Sequence, residues 1–278
     1  MNNLPLWNKQ SLLQSPLLKP LQPILASLTE EHFPTLQMCN ALLVECQLGI
    51  TVQQGLPLSF VPQALVKQGF ESQYEPRCYL KGEVQMRENN WHDLLNALVW
   101  LTFPKSKAVI NARHYHALTN AAAEVTSSQR GAVRDINTLL DESGVIVVCA
   151  DAELASLLRD FQWQELFWRK RDHVNASMGF YIFGHGLYEK ALQPYVGLTG
   201  QGVVLAVEQA FFSWALPRQL AHIDTLLAEN LARVGYFAST HDFAPVPLLG
   251  VPGWSVVNEN FSFYENTRYF RTGRRKLG

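Results

Sequence analysis

The sequence predicts a mixed α/β fold, helix-rich and arranged as a single domain around a small sheet. Three observations carry that prediction. Apolar residues recur at helical spacing, as in Trp91, Leu94, Leu95, Leu98 and Leu101. Two short apolar runs, residues 145–149 and 178–183, read as buried strands. The 278 residues are 47% hydrophobic and 17% charged, which supplies a sizeable core and excludes a disordered chain.

Residues 1–35 carry Pro5, Pro16, Pro20, Pro23 and Pro34 among many leucines. Proline restricts itself and the residue before it, so this segment reads as an extended cover with one short helix near 24–28. The globular domain is expected over 36–278. Its first helix is read over 36–47. Pro57, Pro62 and Gly69 interrupt the next stretch, and 79–86 reads as a strand. The helix over 91–101 ends at Phe103-Pro104, and Pro104 suits the first turn of a second helix running to about 124. Residues 126–131 read as a loop. After the strand at 145–149, Asp151 is a candidate N-cap for a helix over 153–161. A further helix is expected near 163–171, then the strand at 178–183, then a helix from Gly184 to Leu192. Residues 203–207 fit strand or helix. Leu220, Ile223, Leu227 and Leu231 mark a helix over 216–234. Pro245, Pro247 and Pro252 exclude a regular helix across 245–254.

Charge and cysteine usage narrow the function classes. A formal net charge of -1 argues against a general nucleic-acid binder. Cys39, Cys46, Cys78 and Cys149 form no Cys-x-x-Cys pair and read as buried free thiols. That usage, with no secretory leader, predicts a cytoplasmic protein. The longest apolar stretches, 94–103 and 145–150, are too short to span a bilayer, so no membrane partner is expected.

Four polar blocks between Trp91 and Glu189 can carry chemistry. In the first, His92 and Asn96 lie one helical turn apart, an acid/base histidine beside an orienting amide. Asp93 reads as a first-turn carboxylate in a helix capped by Asn90. In the second, Asn111 and His114 share a helix face with Lys107 one turn earlier. Arg113 and His114 are anion-binding and acid/base candidates, and His116 reads as a solvated residue. In the third, Arg134, Thr138 and Asp141 line one face of a short helix. Asp141 and Glu142 together can hold a hard divalent cation or act as a base, with Arg134 offsetting a carboxylate or binding an anion. Gly144 is expected to supply a positive φ at the helix stop. Ser143 has no nucleophile-elbow context. In the fourth, a strand end meets a helix start at Gly184-His185-Gly186, which favours anions. His185 and Glu189, four apart, can face one point as acid/base partners or metal ligands. The blander reading of all four blocks is a set of buried hydrogen-bond networks.

Taken together the blocks resemble a known family. Trp91-His92-Asp93-Leu94-Leu95-Asn96-Ala97-Leu98-Val99-Trp100 with Phe103-Pro104, then Asn111-Ala112-Arg113-His114, is similar to its opening signature. Arg134-Asp135 with Leu139-Leu140-Asp141-Glu142-Ser143-Gly144 is similar to its second. Phe183-Gly184-His185-Gly186-Leu187-Tyr188-Glu189-Lys190 resembles its third, where members often carry Ala at the position of Gly186. Pro247-Leu248-Leu249-Gly250-Val251-Pro252-Gly253-Trp254 with Asn258, Phe263-Tyr264 and Phe270-Arg271 resembles its last. This is the bacterial domain-of-unknown-function family 3025, matched from about residue 30 to about residue 271. The resemblance implies no activity. Some members have been labelled membrane proteins, a label that no segment of this chain supports.

The leading expectation is an enzyme, a hydrolase by default, acting on a small anionic molecule, its cofactor left open with a divalent metal as the candidate. His185, Glu189, Asp141, His114 and His92 are its catalytic candidates. Arg134, Arg113, Asn96 and Asn111 are the substrate-binding candidates, and Asp141, Glu142, His185 and Glu189 the metal-ligand candidates. The alternative is a non-catalytic binding or scaffold protein. A third, weaker reading takes the basic tail at 271–276 and Arg113 to nucleic acid.

Overall fold

The computed structural model describes residues 4–28, 31–45, 49–63, 69–119, 127–233, 236–237 and 239–273, with nothing stated of the side chains of 127–134. The first residues are helical where extended cover was expected. Lys9–Gln14 form α1, a 3₁₀ turn spans Pro16–Leu21, and Gln22–Ala26 form α2. Pro16 opens the 3₁₀ turn and Pro23 sits in the first turn of α2, where a missing N–H leaves no bond unmade. Asn8 caps α1 through Ser11 N–H. Leu17, Leu18, Leu21 and Leu25 are buried in the main core, and the Lys9 ammonium donates to the carbonyls of Ala26 and Leu28.

Leu36–Glu45 form α3. Ser59–Pro62 (β1) pair in parallel with Glu83–Met86 (β2), and the Asn40 amide of α3 clamps β1 by bonding both backbone groups of Phe60. The strand expected over 79–86 is thus only its second half. Tyr74–Lys81 form a helix, α4, which Gly82 ends at φ 70. A Cβ on Gly82 would lie 2.2 Å from the Pro57 carbonyl oxygen, so both the turn and the close approach require glycine.

Trp91–Thr102 form α5, capped by the Asn90 side chain on Asp93 N–H, and Pro104–Thr119 form α6. The end expected for that helix near 124 lies outside the described residues. Ser127–Ser143 form α7, so residues 127–131 are helical rather than a loop. This helix runs directly into Gly144–Cys149 (β3), buried at every position. Gly144 has no positive φ. Its Cβ would lie 2.4 Å from the Leu140 carbonyl oxygen, so close approach, not handedness, demands glycine there.

Asp151 caps Ala152–Arg159 (α8) as expected. A π-helical turn at Glu165–Arg169 precedes Arg171–Ser177 (α9) and Met178–Ile182 (β4). His185–Ala191 form α10, Thr199–Ala206 form β5 and Leu216–Ala232 form α11. Ala244–Pro247 form β6, followed by 3₁₀ turns at Leu248–Gly250, Val256–Glu259 and Phe261–Glu265. The larger sheet has the order β4-β3-β5-β6, parallel only between β3 and β5. The prolines of β6 are tolerated because that strand is an edge. One hydrophobic core runs from Leu12 to Phe270. Cys39, Cys78 and Cys149 are buried free thiols, and Cys46 lies outside the described residues. Among the described residues no helix is long and apolar enough to cross a membrane.

Candidate functional site

α10 packs on both α5 and α7, and α6 packs on α7 and α4. This arrangement brings residues of α4, α5, α7 and α10 to one cleft, with α6 bonded to its wall from behind. Helical spacing does the rest, because residues four apart share a face. His92 and Asn96 come from α5, Lys107 and Asn111 from α6, and His185 and Glu189 from α10. Asp141 and Glu142 stand at the end of α7, beside the entry to β3. The cleft has a volume of about 260 Å³, and its wall includes Tyr74, Glu75, His92, Asn96, Asp141, Glu142 and His185. A larger cavity of about 500 Å³ lies elsewhere, walled by Phe161, Trp163, Phe243 and Tyr269, and among the described residues its lining includes no His, Asp or Glu.

The two histidines meet edge to face, ring centroids 4.5 Å apart, with Nε2 to Nε2 at 3.1 Å. His92 Nδ1 lies 3.0 Å from Glu189 Oε2. His185 Nδ1 faces Asp141 Oδ2 at 3.6 Å, too long for a hydrogen bond, and this buried nitrogen has no hydrogen-bond partner among the described residues. Glu142 Oε1 is 3.4 Å from His185 Nε2 and 4.0 Å from His92 Nε2. One atom from each of His92, Glu142 and His185 therefore lies within 4.8 Å of the others, a grouping compatible with a metal ion.

The flanking glycines follow from Glu142. A Cβ on Gly184 would lie 2.5 Å from backbone atoms of Glu142 and Ser143, and one on Gly186 would lie 2.3 Å from the Glu142 carboxylate. α10 is one short helix of seven residues, and the glycines serve its contact with α7.

The inner wall is a bonded network. The buried Lys107 ammonium donates to Asp141 Oδ1 and to Asn96 Oδ1, and the Asn96 amide donates to the Tyr74 hydroxyl at 2.7 Å. Burial alone raises the Asp141 carboxyl, but Lys107 and His185 outweigh it and hold it below the usual carboxylate range. The hydrogen bond with His185 holds the Glu142 carboxyl low, against burial. Glu75 goes the other way. Burial pushes it up to about 7, although the Asn111 amide donates to it. The same burial holds the Tyr74 hydroxyl well above its ordinary value.

Of the residues singled out in the sequence, the structure brings His92, Asn96, Asn111, His114, Asp141, Glu142, His185 and Glu189 to this cleft or its wall. His114 is buried, and its charged form would favour an ionised Asp141. Arg113 turns away, donating to the Leu231 carbonyl of α11. The side chain of Arg134 lies outside the described residues. Asp93 has the first-turn place expected of it and a two-pronged pair with Arg87. His116 contacts the Tyr79 hydroxyl at 3.3 Å. Of the basic tail at 271–276, Arg271 is exposed and 274–276 lie outside the described residues. Sequence reasoning missed Tyr74 and Glu75, which carried no signal once their segment was passed over.

Comparison with known proteins adds the family. The family model described as a protein of unknown function (DUF3025) matches residues 58–274. The chain belongs to this family. The DUF3025 match starts later than the residue 30 expected, yet includes every helix that supplies the cleft. No curated protein and no solved structure matches the chain.

Proposed function

We propose that this chain is an enzyme that hydrolyses a small polar molecule by acid/base chemistry in the His92–His185 cleft. One observation carries the reading: two imidazoles face each other across 3.1 Å at the wall of the cleft, each with a carboxylate on its far side. Such a pair can pass a proton between substrate and protein. Hydrolysis is the class that asks for water alone as second reactant. The charges at the cleft suit a polar substrate better than an anion. Arg87 and Lys107, the cations described at the cleft, are each held by a carboxylate, Asp93 and Asp141.

A panel of esters, amides, phosphate esters and carboxylate-bearing analogues tests the proposal. At least one class should be turned over, and His185→Ala and His92→Ala should each lower kcat/KM by about 100- to 10,000-fold. Rates unchanged in both variants would refute it. A second reading, a binding or scaffold protein, is favoured by the inner wall, where Lys107, Asp141, Asn96 and Tyr74 satisfy one another. Under that reading the same substitutions lower stability and change no rate.

A further inference from the structure

We infer that the cleft binds one divalent first-row metal ion through His92 Nε2, His185 Nε2 and the Glu142 carboxylate, an inference that rests on the same cleft as the proposed hydrolysis and in which, with the ion bound, the two Nε2 atoms are ligands and no longer carry the proton. The neighbours of each imidazole place its ring proton. A carboxylate only accepts hydrogen bonds, so Glu189, 3.0 Å from His92 Nδ1, fixes the proton of His92 on Nδ1. The neutral ring then aims the lone pair of Nε2 into the cleft. His185 turns its Nε2 toward the same point, with Nδ1 facing Asp141 beyond hydrogen-bond reach and Nε2 beside the Glu142 carboxylate.

His92 Nε2, His185 Nε2 and a carboxylate oxygen converge at 3.1, 3.4 and 4.0 Å on one point, where either the His185 ring proton or a cation stands. A tetrahedral ion with bonds of about 2.1 Å separates its ligand atoms by about 3.4 Å. The observed triangle of 3.1, 3.4 and 4.0 Å has that size. The metal set suggested by the sequence, Asp141, Glu142, His185 and Glu189, is thereby redistributed. Glu142 and His185 stay as ligands and His92 joins them. Asp141 and Glu189 stand behind the rings, where outer carboxylates fix tautomer and orientation.

Two imidazole nitrogens select a borderline ion such as Zn²⁺ or Fe²⁺ and disfavour Mg²⁺. Three protein ligands leave a coordination position for water or substrate on the cleft side. Gly186 contributes space, since a Cβ there would press on the Glu142 carboxylate.

The test uses the whole chain, stripped with a chelator and titrated by calorimetry with Zn²⁺, Mn²⁺ and, without oxygen, Fe²⁺, with Mg²⁺ as the hard-cation control. Elemental analysis fixes the stoichiometry. The expected result is one equivalent of a first-row ion in preference to Mg²⁺, and the tightest of the three distinguishes a zinc-type from an iron-type centre. His92→Ala and His185→Ala should each lose at least about 100-fold in affinity, more than outer-carboxylate changes cost. His173→Ala, on α9 and paired with Asp151, should bind as the wild type does. Glu189→Gln leaves the three ligands in place and should weaken binding about 10- to 100-fold, which keeps the test alive if a ligand variant does not fold. No bound ion, a preference for Mg²⁺, or undiminished binding by the folded histidine variants would overturn the inference. The hydrolytic reading fails separately. An ion bound without turnover of any substrate supports the metal centre alone, and full turnover by a chain that binds no ion overturns the metal centre alone.

Discussion

At the scale of single residues, Glu75 makes the sharpest prediction. Its ordinary value is 4.5 and the fold raises it to about 7, with burial as the main cause. Between those values the folded chain holds a proton that the unfolded chain has released. The stabilisation is therefore complete below pH 4.5 and is lost as pH rises through about 7. Glu75→Gln keeps an oxygen for the Asn111 amide and removes the ionisation. Calorimetric melting should place this variant above the wild type at pH 8 and level with it at pH 4.5. Asp141→Asn should act in the opposite sense. It leaves the buried Lys107 ammonium without its counter-ion and should cost about 3–5 kcal/mol in denaturant unfolding. Asp141 was legible in the sequence because it stands in a polar block. Glu75 was not, because Pro57, Pro62 and Gly69 marked its stretch as interrupted and the next element was read only from Tyr79, so the helical face that Glu75 shares with Cys78 and Tyr79 gave no signal.

At the scale of elements, the junction of α7 with α10 decides how the cleft is built. Gly184 meets backbone at 2.5 Å, whereas Gly186 meets first the far end of the flexible Glu142 side chain at 2.3 Å and only then the Glu142 carbonyl oxygen at 3.1 Å. Gly184→Ala should therefore destabilise the fold by about 1–3 kcal/mol, the usual range for overpacking. Gly186→Ala should leave the unfolding midpoint nearly unchanged and alter activity or metal affinity by reseating Glu142. Equal loss of stability in both variants would contradict this picture of the junction. The elements read correctly from sequence were those whose signal is local. β3 and β4 are unbroken apolar runs, and Asn90 and Asp151 are side-chain caps that the structure confirms. The misread ones are decided by packing. The start of α7 carries Ser127, Ser128 and Gly131, weak helix formers; at β6, where the sequence excluded only a helix, a strand forms with two prolines because it needs only one partner strand.

At the scale of the whole molecule, the family match begins at residue 58, yet the core does not. Leu17, Leu18, Leu21 and Leu25 are buried, and the Trp91 indole of α5 donates to the Pro5 carbonyl. Removal of residues 1–28 should expose apolar surface next to the helix that carries His92. The expected outcome is loss of the cooperative unfolding transition, or aggregation on a sizing column. An unfolding midpoint equal to that of the full chain would show the segment to be dispensable. The sequence was sufficient for a helix-rich chain around a small sheet, because periodicity and β-branched runs are local properties. It could not bring His92 within hydrogen-bond distance of His185, 93 residues away, since only the packing of α5 on α10 does that.

The central claim is that these two histidines act as one unit. The most direct measurement is kcat/KM for His92→Ala, His185→Ala and the double variant, on whichever substrate class the wild type turns over. Residues that share one function are strongly non-additive, so each single change should remove nearly all the activity and the double change should cost little more. Losses that multiply, or a single variant with the wild-type rate, would contradict it.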